Sequence, residues 1–197
     1  LSVTDVHAHP FLDRGAITTE EFTNFTAFGG GSREYMEQAG IDFTDDVRGE
    51  LLRVKQDTLY YRRLVRDLAA FFGCDPTLEA VVEARNAAVA SDGYTEYVRK
   101  LYADAGLEAI VFDFGVPLPQ LDVAEVTGQL PVTVAPIFRI EPLIADLLKT
   151  GCGWAEFKRT YDDTINEALT TGGYRGLKSI IAYRTGLDVS PLSRNED

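Results

Sequence analysis

Two histidines, His7 and His9, are the only ones in the 197-residue chain. They close an apolar-leaning stretch, Leu1-Ser2-Val3-Thr4-Asp5-Val6, and Pro10 follows at once. Along a strand alternate residues share a face, so both imidazoles could reach one metal ion at a sheet's mouth, with Pro10 ending the strand. Neutral imidazole is a common ligand for zinc and similar ions. His-x-His alone is a weak signal. Its place, where a strand meets a Pro-containing loop, strengthens it, because ligands bind at strand carboxyl ends in parallel α/β folds.

Other residues sit where chemistry could use them. Lys178 interrupts the apolar run Gly176-Leu177-Lys178-Ser179-Ile180-Ile181-Ala182-Tyr183. Buried, it must be paired, deprotonated or chemically modified; the alternative is the solvated beginning of a strand. Asp113, near the end of Leu107–Gly115, could bind a metal or a metal-bound histidine, with capping of the following loop as the favoured role. Arg139 and Glu141 share one face at the end of a third apolar run, 131–141.

The elements that would position these groups follow from periodicity. Four strands are expected, at the first six residues, 107–115, 131–141 and 176–183. Hydroxyls ahead of acids in Thr18-Thr19-Glu20-Glu21 mark a helix start, and Gly29-Gly30-Gly31-Ser32, which lacks P-loop chemistry, reads as a flexible loop. Apolar residues at three- and four-residue intervals predict one helix from Asp45 to Phe72, with Gly73 as stop. Its tyrosines and arginines read as a packed face with a solvated rim. Further helices are expected from Pro76 to about Ala90, Tyr94 to Ala105, Leu143 to Leu148 and Trp154 to Leu169, with a short helix or a turn from Asp122 to Leu130. The result is a single domain, 1–197, with a helical insertion at about 19–106.

Composition narrows the function. A hydrophobic content of 45% supports a core, and a net charge of -12 repels a phosphate backbone, so nucleic acid is excluded as a partner. No apolar run is long enough for a bilayer, and the given sequence does not open on a basic region followed by a long apolar one. Cys74 and Cys152 lack CxxC spacing and read as free thiols of a reducing compartment. The expectation is a cytoplasmic protein acting on a small-molecule substrate, away from membranes.

Asp5-Val6-His7-Ala8-His9-Pro10-Phe11 and Gly176-Leu177-Lys178-Ser179-Ile180-Ile181-Ala182-Tyr183-Arg184-Thr185-Gly186-Leu187 resemble the metal-dependent amidohydrolase superfamily. The closer match is the "amidohydrolase 2" branch, which includes the amidohydrolase half of fungal FluG-like proteins, joined there to a glutamine-synthetase-like half. The resemblance implies a (β/α)8 TIM-barrel with metal at the strands' carboxyl ends. His7 and His9 would be metal ligands, and Lys178 a catalytic, carbamylated lysine bridging two ions. Arg139, Glu141, Tyr183 and Arg184 would bind substrate carboxylate or carbonyl groups. The cofactor would be one or two divalent ions, Zn2+ with Mn2+ or Fe2+ as alternatives, lowering the pKa of bound water to about 7 for hydrolysis of an amide or other carbon-nitrogen bond.

The family draws two more histidines and an aspartate from later strands, and a full barrel typically needs about 250 residues. The expectation is therefore a barrel truncated to about four strands, the amino-terminal part of a longer enzyme, which self-associates through exposed edges or is fused to a glutamine-synthetase-like domain. The competing reading is a non-catalytic α/β scaffold or regulatory remnant with incidental histidines.

Overall fold

The computed structural model describes residues 2–10, 14–27, 32–117, 120–183, 186–188 and 190. Arg184 and the Gly29–Gly31 run lie outside them. The chain divides into two compact units, one of Leu1–Leu12 with Leu101–Asp197, the other Asp13–Lys100.

The first unit is built on four parallel strands in the order β1-β2-β3-β4: β1 Val3–Ala8, β2 Leu107–Asp113, β3 Thr133–Arg139 and β4 Gly176–Lys178. Parallel neighbours need crossovers, and helices supply them: α7 Val123–Gln129 between β2 and β3, then α8 Ile140–Lys149 and α9 Trp154–Thr170 between β3 and β4. β2, flanked on both sides, carries the core residues Ile110 and Phe112, with Phe114 just beyond it. Val123, Val126, Leu130 and Val134 pack against them. Asp122 caps α7, accepting the Glu125 N–H at 2.7 Å.

The second unit is helical: α1 Thr19–Thr26, α2 Ser32–Gln38, α3 Asp45–Gln56, α4 Leu59–Phe72, α5 Leu78–Asp92 and most of α6 Tyr94–Asp104. Thr18 and Glu21 form the reciprocal cap expected for α1. Phe22, Tyr61, Val65, Ala69, Val81 and Val82 make the core. The Thr23 hydroxyl donates to the Thr19 carbonyl at 2.8 Å, so at 2.7 Å the buried Tyr61 hydroxyl donates to Thr23.

The sequence expectations need several corrections. The (β/α)8 TIM-barrel, truncated or not, is replaced by an α/β fold. The sheet is open, ending at β1 and β4, and nine helices accompany only four strands among the described residues. The single helix 45–72 is two, because Thr58 starts a new one, its hydroxyl accepting the Tyr61 N–H at 3.2 Å. The fourth strand stops at Lys178, and Ile181–Tyr183 turn into a short 3-10 helix. The third strand ends at Arg139, so Glu141 belongs to the first turn of α8 and not to a strand face.

Candidate metal centre

Four strands finish at the carboxyl end of the sheet. β1 brings His7 and, one residue beyond the strand, His9. β2 brings Asp113, β3 Arg139 and β4 Lys178. Simple alternation does not fully describe β1. Asp5 pairs with Ile110 and Ala8 with Phe112, so β1 spends one extra residue between those two pairs, in the stretch that holds His7. Bulges of this kind re-aim a side chain where pairing ends. Asp5 steadies the bulge by accepting the His7 N–H at 3.0 Å.

One ring nitrogen of His7, one of His9 and a carboxylate oxygen of Asp113 all lie within 4.8 Å of one another. The two rings are 5.6 Å apart at 67°, edge to face. His9 Nδ1 is 3.0 Å from the Asp113 carbonyl oxygen. A carbonyl can only accept, so Nδ1 carries the proton and Nε2 keeps the lone pair. Lys178 Nζ stands 3.4 Å from His7 Nε2.

Asp113 is fully buried and pairs with Arg139, whose side chain is 12% exposed. Arg139 Nε donates to both carboxylate oxygens at 3.1 Å and Nη2 donates to Oδ2, while the Gly115 N–H reaches Oδ1 at 2.9 Å. Burial pushes the Asp113 carboxyl up, but the bonds from Arg139 and Gly115 and the neighbouring charges outweigh it, leaving it below the usual carboxylate range. The bond to Gly115 is the loop cap favoured from sequence.

Glu141 is the second residue of α8, in its first turn, where the helix dipole favours an anion. Its Oε1 accepts the Ser179 hydroxyl at 2.6 Å and the Ile180 N–H at 2.7 Å, pinning the turn just after Lys178. Oε2 is buried without a partner among the described residues. Burial again raises this carboxyl, and the bonds from Ser179 and Ile180 bring it below its ordinary value.

The structure thus brings His7, His9 and Lys178 together. It engages Arg139 with Asp113, and Glu141 with the Ser179–Ile180 turn. Tyr183 stands 82% exposed in its 3-10 turn. Sequence reasoning missed the Asp113–Arg139 pair, whose partners stand on different strands.

No family model matches this chain, and no curated protein matches it. Among solved structures it is similar to a "putative metal-dependent hydrolase" from Lactobacillus casei ATCC 334, with a TM-score of 0.72 and 18% identity over 99% of this chain. At that identity the likeness is one of fold. The chain spans 46% of that protein's length.

Proposed function

We propose that this chain carries the metal-binding elements of a metal-dependent hydrolase, acting on an amide or other carbon-nitrogen bond in the manner of the amidohydrolase 2 branch. One observation carries the reading: two imidazoles and a carboxylate, from two neighbouring strands, gather within 4.8 Å. Two nitrogen donors beside a carboxylate suit a divalent ion of zinc type, and the His9 tautomer is the one that frees Nε2 for it. The strand motifs and the fold shared with the Lactobacillus casei protein support the same reading.

When bound, a divalent ion would supply Lewis-acid polarisation of a carbonyl and a water acidic enough to attack it. The remaining work falls to this chain's own groups. His7 and His9 would hold the ion. Lys178 decides how, because an ammonium 3.4 Å from His7 Nε2 competes with any cation for the same lone pair. The reading therefore assigns Lys178 a carbamate: the ammonium gives up one proton, and the neutral amine then adds to carbon dioxide and releases a second, so that a cation is turned into an anion beside the ion. Glu141 would keep Lys178 in place through the turn that follows it.

The test is Zn2+ or Co2+ binding to the purified chain by calorimetry. Stoichiometric binding is expected, lost in His7→Ala and in His9→Ala with the fold intact by circular dichroism. Binding unchanged in both variants, or absent from the parent chain, would overturn the assignment.

A further inference from the structure

The Asp113 carboxylate is the third group of the cluster, yet both its oxygens are already engaged. Oδ1 takes the Gly115 N–H and Arg139 Nε, and Oδ2 takes Arg139 Nε and Nη2. With Asp113 fully buried and Arg139 12% exposed, neither partner can readily exchange the other for water. Giving an oxygen to an ion would strip a nearly buried guanidinium of its counter-charge, the costly way to disturb such a pair.

Gly115 shows how closely the pair is built in. A methyl group there would stand 2.7 Å from Arg139 Cβ and closer still to its Cδ and Nε, so the arginine lies directly over the glycine. What faces the histidines from Asp113 with an unambiguous bond is its main chain: the carbonyl oxygen, 3.0 Å from His9 Nδ1. Metal-ligating histidines usually give their second N–H to such an acceptor, which fixes both ring and tautomer.

We propose that Asp113, Arg139 and Gly115 form a positioning unit for His9, and that Asp113 is not itself a ligand of the ion. Arg139 and the Gly115 N–H lock the carboxylate, and the locked residue holds its carbonyl against His9. The carboxylate, its charge balanced by Arg139, then makes no bond to the ion. The inference rests on the reading of His7 and His9 as the groups that hold a divalent ion.

The alternative, a carboxylate ligand masked by Arg139, predicts the opposite sign for one substitution. Zn2+ affinity is measured by competition with a chromophoric chelator for the parent chain, Arg139→Gln and Arg139→Lys. Histidine tautomers are read from 15N-resolved spectra of the metal-free protein. Arg139→Gln should weaken Zn2+ binding by about 10–100-fold, the range for loss of a group that orients a ligand, and Arg139→Lys should recover part of it. His9 should carry its proton on Nδ1 in the parent chain and become a tautomer mixture in Arg139→Gln.

Binding as tight or tighter in folded Arg139→Gln would overturn the proposal and make Asp113 a direct ligand or a bystander. If Arg139→Gln does not fold, the parent spectrum decides, since a His9 proton on Nε2 is incompatible with the carbonyl bond. A parent chain that binds no Zn2+ would overturn the metal reading itself, an outcome distinct from parent binding that Arg139→Gln leaves unchanged.

Discussion

Gly115 has no alternative residue, because the Arg139 side chain occupies the space a Cβ would need. Gly115→Ala should therefore destabilise the first unit by about 1–3 kcal/mol, as overpacked sites do, read as a lower urea midpoint with an unchanged slope. Acid should act on the same neighbourhood. Asp113 and Glu141 both titrate below their ordinary range when folded. A depressed folded-state pKa means the unfolded chain binds protons more tightly, so the stability these groups confer is present above about pH 4 and is lost as pH falls through the folded values. The melting temperature should drop below about pH 4, and less steeply in the charge-balanced double variant D113N/R139Q. That His7, His9 and Lys178 lie together could be anticipated from the sequence because rare or misplaced residue types at strand ends stand out. The Asp113–Arg139 pair could not, because its partners lie on different strands and meet only through the β2–β3 register, in which Asp113 faces Ile137. No local pattern encodes that register.

At the scale of elements, local chemistry explains both what the sequence revealed and what it concealed. The α1 cap and the Gly73 stop were readable because each depends on a few adjacent residues. The split between α3 and α4 was hidden because apolar spacing continues through Asp57 and Thr58, and only the Thr58 cap shows the break. Thr58→Ala should cost about 1 kcal/mol by loss of that cap, measured by thermal melting of the purified chain. A larger effect belongs to Arg85, buried on α5 with no carboxylate bonded to it among the described residues. It donates to the carbonyls of Arg14 at 2.9 Å and of Gly15, and lies near the rings of Tyr94 and Tyr97. Next to it, Asn86 bonds the Ile17 N–H at 3.0 Å and the Ile17 carbonyl at 2.9 Å, so two adjacent helix residues tie down 14–17. Arg85→Met would leave both carbonyls unpaired. At about 1.5–3 kcal/mol for each hydrogen bond from a charged donor, losing the two should lower stability by more than Thr58→Ala does, and a smaller loss would refute the clamp.

At the scale of the whole molecule, charge and apolar surface pull in opposite directions. Among the described residues the sheet of the first unit has two edges, β1 and β4, each with one neighbouring strand. Val6 on β1 is 73% exposed and Leu177 on β4 is 48% exposed. Unpaired edges bearing apolar side chains recruit further strands, whereas a net charge of -12 keeps copies apart. The two effects differ in range. Repulsion between exposed charges fades beyond about 8 Å at physiological salt, while edge pairing and apolar contact act at touching distance and are not screened. We therefore expect the chain to self-associate, and more strongly as salt is raised. Light scattering across a salt series should show mass growing with ionic strength, and a lysine at either edge, Val6→Lys or Leu177→Lys, should shift the population towards monomer without changing the circular dichroism spectrum. A parent chain that stays monomeric at every salt concentration would show that these edges are satisfied within one copy.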